Sequence, residues 1–428
     1  MIEIEARLSE LRALGLHQRI RLVSGPQGPH VVLDGKPVLL LCSDNCLGLA
    51  DHPRVREAAA EAAMRWGVGA GASRLASGTM TVHRRLEERL AGFLRRESAL
   101  LFGSGFLAAA GVISALARPG DVVFSDALNH AALIDGCRLS RAEVFVYGHA
   151  DPEHLAWGLA HAQGRAALIA TNAVFSLAGD AAPLEDIVEL AQRHRVRVLV
   201  DESHGLGSVG PGGRGALAER GLEDQVDVIL GTLGGALGSY GAFAACDRVM
   251  TQYLLQAART LAFSSAPAPP AVAGALAALA LLEDRPRLVD KLHVNAVALR
   301  DGLIAEGFDL PRARTHILAV ALGEPKPVLR MAEGALARGV FAQAVVPPAT
   351  HGPASCLRLT TMATHRAEEL RAAAPVLAEA ARSAGVDPRA TSPAVPRQGE
   401  YEDEPPEPYA YEAERAGPYD YEQIAHAA

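Results

Sequence analysis

Lysine is almost missing from this chain of 428 residues; only Lys36, Lys291 and Lys326 occur, while arginine and alanine are plentiful. The bias is compositional, yet it leaves amine chemistry three candidates, none inside a recognisable motif. Cysteine is sparse too. The five (Cys42, Cys46, Cys137, Cys246, Cys356) are odd in number, scattered and without C-x-x-C spacing, which argues against a disulfide framework or a zinc site. No apolar run reaches membrane-spanning length, since the stretch 266–282 carries several prolines near its start. The first residues are acidic and amphipathic, unlike a signal peptide, so a cytoplasmic protein without membrane association is expected. Excess charge is missing from the body as well. Nine acids and one arginine within 400–428 account for the whole formal net charge of -8. A neutral body gives no electrostatic basis for binding nucleic acid or an anionic membrane.

What is present is organised in four parts. Residues 1–40 read as a helix over 1–20, with leucines at helical spacing, then a hairpin over 31–41 around Asp34-Gly35. Residues 41–287 alternate short apolar runs with helical stretches. Strands are predicted at 99–102, 121–124, 143–147, 166–170, 197–200 and 226–230, with helices at 81–94, 105–116, 131–139 and 184–194. That alternation predicts an α/β domain with a mostly parallel sheet covered on both faces. Residues 288–388 read as a smaller α+β domain, with strands at 315–321, 340–346 and 356–360 and a last helix at 367–385. Residues 389–428 are rich in Pro, Glu and Tyr without apolar periodicity. They are a disordered solvated tail, or a docking peptide that uses its tyrosines.

In an open parallel sheet, ligands sit beyond the carboxyl ends of the strands. Unusual polar residues fall there. Asp201, in Asp201-Glu-Ser-His204, ends an apolar strand, where a carboxylate needs a partner. A protonated pyridine nitrogen would be one, and a capped turn would be another. Phe102-Gly-Ser-Gly105-Phe106 opens a helix with amides unobstructed by side chains, which suits a phosphate or a plain turn. His130 follows a third strand as a ring-stacking residue or a helix cap. Thr232 and the glycines after it form a second donor-rich turn. Each signal is modest; four at strand ends of one sheet are hard to assign to chance.

With these blocks the chain resembles the α-oxoamine synthases, pyridoxal-phosphate (PLP) enzymes of fold type I, over roughly residues 19–384. The resemblance rests on Ser43-Asp-Asn-Cys-Leu-Gly-Leu-Ala-Asp-His-Pro53, Gly69-Ala-Gly-Ala-Ser-Arg74 with His83, and Asp126-Ala-Leu-Asn-His130. Val174-Phe-Ser-Leu-Ala-Gly-Asp180, Asp201-Glu-Ser-His204 and Leu357-Arg-Leu-Thr360 with His365 complete it. It implies that the large domain binds PLP, with Asp201 on the pyridine nitrogen and His130 stacked on the ring. His204 and Ser176 would lie by the phenolic oxygen, and Gly105, the Phe106 amide and Thr232 would hold the phosphate. Ser265 would reach the phosphate of a partner subunit. Arg358 would bind the amino-acid carboxylate, with Asn45 as a further substrate contact. The implied reaction joins an amino acid to an acyl-CoA or another acyl thioester, releasing CO2 and the thiol, in a homodimer.

The departures carry equal weight. The family's Schiff-base lysine aligns with Gly235, so PLP would bind without a covalent link. Cys46 replaces a tyrosine, Asn172 an acid, Ala178 an aspartate and Cys356 an arginine. That lysine holds the coenzyme aldehyde and shuttles the substrate's Cα proton, so its loss should leave a pocket with little turnover. Three readings follow: an enzyme altered at 235 or rescued by another base, His204 being nearest; a silent subunit of a heterodimer with a lysine-bearing paralogue; or a stand-alone pseudoenzyme. Four further drifted positions favour natural divergence over engineering.

Overall fold

The computed structural model describes residues 2–13, 16–17, 19–311, 315–347, 349 and 355–393. The acidic segment beyond residue 393 lies outside them, whereas 389–393, expected to begin the disordered tail, are ordered, with Ser392–Pro393 paired to the strand Ile317–Gly323. Seven strands form the central sheet in the order Ser98–Phe102, Ala242–Cys246, Val228–Thr232, Arg197–Asp201, Ala166–Asn172, Val122–Asp126, Glu143–Tyr147. All run the same way except Ala242–Cys246, which is antiparallel to both neighbours. The strands are runs of Val, Ile, Leu and Ala because both faces are covered. One apolar layer packs under Pro53–Trp66, Thr81–Phe93, Leu184–His194 and Pro269–Asp284. The other packs under Gly105–Leu116, Ala131–Ser140 and Arg248–Ala257. This is the fold type I PLP-transferase arrangement.

The smaller C-terminal domain is an antiparallel sheet ordered Gln343–Val345, Ser355–Thr360, Ile317–Gly323, Ser392–Pro393. Arg287–Ala305, Pro325–Ala337 and Ala367–Ser383 pack on it around Leu299, Met331, Leu357 and Leu377.

Three further details differ from the expectations. The first helix is Ile2–Ala13, and the Leu16 N–H donates to Leu11 O at 2.8 Å beyond its end. The hairpin His30–Leu33/Lys36–Leu40 turns at Asp34-Gly35, both at positive φ as a tight two-residue turn requires. It is not a separate unit, because Lys36–Leu40 pairs in parallel with Val340–Phe341. The run 340–346 is accordingly two strands, serving two different sheets.

Parallel order brings six carboxyl ends to one edge: Phe102, Asp126, Tyr147, Asn172, Asp201 and Thr232. Asn172 is paired directly with Asp201, and Ala242 sits opposite both Thr232 and Phe102. Among the described residues no helix is long and apolar enough to cross a membrane. None of their His, Cys, Asp and Glu side chains gather in a group of three or more that could hold a metal.

Candidate active site

Asp201 leaves its strand nearly buried, 8% exposed. Its Oδ1 accepts from Ser203 N at 2.9 Å and Ser203 Oγ at 2.5 Å. Among the described residues no group donates to Oδ2, so one oxygen of a strand-end carboxylate is open to a cationic N–H donor. The capped turn foreseen as the bland alternative is therefore present, and it uses only half of the carboxylate.

His130 shows the same economy. It caps the helix Ala131–Ser140, with Nδ1 accepting from Ala132 N at 3.1 Å. An accepting Nδ1 places the ring proton of the neutral tautomer on Nε2. The ring itself is exposed, with its backbone N–H donating to Asn172 Oδ1 at 2.8 Å. Asn172 N donates to Asn129 Oδ1 at 3.0 Å, so a lattice of two asparagines fixes the segment that carries His130.

Gly105 and Thr232 meet at the other side of the edge. Gly105 opens the helix Gly105–Leu116, capped by Ser104 Oγ, which accepts from Leu107 N at 3.3 Å. A Cβ on Gly105 would lie 2.7 Å from Thr232 Cγ2. This close approach sets the start of the helix against the Thr232 side chain, an arrangement that suits a phosphate. Gly105→Ala is expected to cost about 1–3 kcal/mol of stability, because the stiff threonine must move, and to weaken phosphate binding. Urea unfolding with and without inorganic phosphate checks both effects.

Arg358, buried at 7% exposure, points into the edge from the small domain's strand Ser355–Thr360. Its Nε donates to Ser176 O at 2.6 Å and its Nη2 lies 3.4 Å from Asp44 Oδ1. Arg358 is thus held against the backbone of the Ser176 loop. Asn45 spends its side chain on the loop itself, with Nδ2 donating to Gln27 O at 3.2 Å and Oδ1 accepting from Ala50 N at 3.1 Å. The residue is nearly buried, at 5% exposure. Ser265 is exposed and forms an isolated bridge with Ser73, and Phe106 presents its ring to solvent.

His204 faces this cluster, and burial, with the Arg358 cation second, pushes it down to about 4. It is a neutral hydrogen-bonding group and a weak base. Behind it, His316 lies with ring centroids 6.4 Å apart and is held well below its ordinary range, first by burial and then by His204. Burial likewise pushes His365 down to about 4. These three stay neutral when folded and take up protons on unfolding below their ordinary 6.5. Their stabilising contribution is complete above that value and is lost as pH falls toward about 4. Glu202, pushed up to about 7 by burial, and His149, raised to about 10, work the opposite way, while His52, His83 and His154, also lowered by burial, add to the first three. The urea midpoint is therefore expected to fall between about pH 7 and about pH 5. Burial drives the thiols of Cys42, Cys46 and Cys356 up to about 12, so none stands in as a nucleophile.

Gly235 lies in the turn after Thr232, half-buried. Its backbone is outside the positive-φ region, and a Cβ there would meet only Asp44 O and Ser203 O, both at 3.6 Å. Nothing in the local geometry requires glycine. The residue that sequence reasoning missed is His149, buried between Asp126 and Asp180. Its only signal was a histidine just past a strand that neighbours Asp126.

A strand-end carboxylate, a capping histidine and a glycine–threonine cradle on one sheet edge define a PLP-dependent transferase. The model of the family "Aminotransferase class I and II" matches residues 36–377, and the chain belongs to that family. Within it the chain is an α-oxoamine synthase-type acyltransferase by relationship. It is 43% identical over 382 residues to the 8-amino-7-oxononanoate synthase of Citrifermentans bemidjiense, covering 89% of this chain and 98% of that protein. The corresponding protein of Anaeromyxobacter dehalogenans is 45% identical over 367 residues, covering 86% and 92%. Among solved structures, a lysine-to-alanine variant of serine palmitoyltransferase from S. paucimobilis, with a bound PLP–myriocin aldimine, superposes with a TM-score of 0.85 at 31% identity. That match covers 90% of this chain and 98% of the other.

Proposed function

We propose that this chain binds PLP without a covalent tether and carries an 8-amino-7-oxononanoate synthase-like acyl-transfer site whose turnover is impaired. The reaction condenses a small amino acid such as alanine or glycine with an acyl-CoA or acyl-carrier thioester, releasing CO2 and the thiol. The carrying observation is Gly235: an unconstrained glycine inside a cluster where Asp201, His130, His204, Gly105, Thr232 and Arg358 are otherwise assembled. PLP, when bound, supplies an electron sink for bond-making at the amino acid's α-carbon.

The protein groups then have separate tasks. Asp201 Oδ2 would receive the ring N–H and keep that nitrogen positive. His130 would cover the ring face, its capping bond limiting its freedom to turn away. Gly105, the Phe106 amide and Thr232 would hold the phosphate. His204, neutral, gives or takes one hydrogen bond at the phenolic oxygen beside Ser176. Arg358 receives the substrate carboxylate, which must compete with Asp44 for the guanidinium.

A second reading is a silent subunit paired with a lysine-bearing paralogue; one surface suits subunit pairing, with a second copy or with such a paralogue. Phe263 is 76% exposed on the segment that leads to Ser265, which bridges to Ser73 beside the half-exposed Leu75. Exposed apolar groups flanking a serine expected to reach a partner's phosphate suit subunit pairing. The test is a titration of the purified chain with PLP, followed by alanine or glycine with a panel of acyl thioesters. Saturable PLP binding with weak or no turnover supports the proposal; absence of binding overturns it. Turnover gained only on mixing with a lysine-bearing homologue favours the paired-subunit reading.

A further inference from the structure

Two carboxylates with one imidazole between them lie under the site. Asp126 ends the strand Val122–Asp126, four residues before His130. Its Oδ1 accepts from Leu128 N at 2.8 Å and its Oδ2 from Ala150 N at 2.9 Å. Asp180 closes the loop that carries Ser176, with its carbonyl accepting from Phe175 N at 2.9 Å. His149 reaches both, with Nδ1 2.9 Å from Asp126 Oδ1 and Nε2 2.7 Å from Asp180 Oδ2. The ring also meets Phe175 edge-on at 4.4 Å.

An imidazole can donate from both nitrogens only as the cation. Burial opposes that charge, but the hydrogen bonds and charges of Asp126 and Asp180 outweigh it and raise His149 to about 10. Asp180 keeps a second oxygen, Oδ1, buried with no partner among the described residues. A charged bridge of this kind is costly to bury, and its members span three separate chain segments. Hydrophobic packing would join those segments without fixing their separation. Two short bonds to one rigid ring fix it.

We propose that His149 is a positioning residue: clamped between Asp126 and Asp180, it holds the His130 segment and the Ser176 loop in register across the coenzyme site. The Asn129–Asn172 pair restrains His130 from its other side, so loss of the clamp frees only one flank. The functional part of this inference rests on the PLP reading above; the positional part does not.

The experiment uses the full chain with nitrogen-labelled histidine, as wild type, His149→Gln and Asp180→Asn. Without PLP, wild type is expected to show His149 doubly protonated at about pH 8, and the His130 imidazole signal is expected to shift in both variants. With PLP, both variants are expected to bind about tenfold more weakly, with an altered visible circular dichroism. Thermal unfolding confirms that each variant is folded. If His149→Gln fails to fold, Asp180→Asn, which retains the ring and one carboxylate, decides the matter. Unmoved His130 signals in a folded variant overturn the clamp. Failure of wild type to bind PLP overturns the coenzyme reading instead, and the His130 signal still judges the clamp.

Discussion

Replacing Gly235 by lysine is expected to raise turnover by about 10²–10⁴-fold, the usual worth of a positioned general base. The backbone at 235 is one that any residue adopts, and the added Cβ clears its nearest neighbours, Asp44 O and Ser203 O, at 3.6 Å. The amine would arise in the turn directly after Thr232, beside the proposed phosphate cradle. The lysine Cβ would lie beside Ser203 O, in the segment between Asp201 and His204, which is the side from which the coenzyme aldehyde is expected. Borohydride treatment of the Gly235→Lys variant with PLP is expected to fix an adduct on the peptide containing 235, and the wild type is expected to give none there. An adduct without restored turnover would mean that the drifted positions Cys46, Asn172, Ala178 and Cys356 have also dismantled the substrate side.

The second large effect is on stability. Glu87→Ala is expected to cost about 3–5 kcal/mol, because it strands a buried guanidinium. Arg74 and Glu87 have side chains only 4% and 3% exposed and pair at 2.7 Å. Every strong direction is used. Arg74 Nη1 donates to Leu101 O at 3.1 Å, its Nε donates to Thr79 Oγ1 at 3.0 Å, and Leu101 N donates to Glu87 Oε1 at 3.0 Å. The pair thus pins the glycine-rich segment around 69–78 to the edge strand Ser98–Phe102. Replacing both partners with apolar residues of similar volume is expected to recover most of the loss, since the cost lies in the unpaired charge. Urea midpoints of the single and double variants separate this from a simple packing defect.

Much of the edge that carries the site could be read from sequence, because its signal is local. Asp201, His130 and Gly105 each follow an apolar run of strand length, and parallel order does the rest. The strand Ala242–Cys246 was not legible. Its residues, Ala-Phe-Ala-Ala-Cys, are buried on both faces, follow a glycine-rich turn and show neither alternation nor β-branching. The hairpin at 30–40 was legible as a hairpin, but its attachment to Val340–Phe341 was not, since no local pattern encodes a partner 300 residues away. His149 escaped for the same reason: its two carboxylates lie 23 and 31 residues off, and only the fold makes the three one unit. Asn45 has a role that the motif did not announce: its polar atoms help hold the motif's own loop together.

The coenzyme site itself is tested most directly by a crystal structure of the chain soaked with PLP. The account predicts the ring nitrogen at Asp201 Oδ2, His130 over the ring, the phosphate at the start of the Gly105 helix, and no bond to position 235. A crevice without density, or a coenzyme seated away from Asp201 and His130, would contradict it.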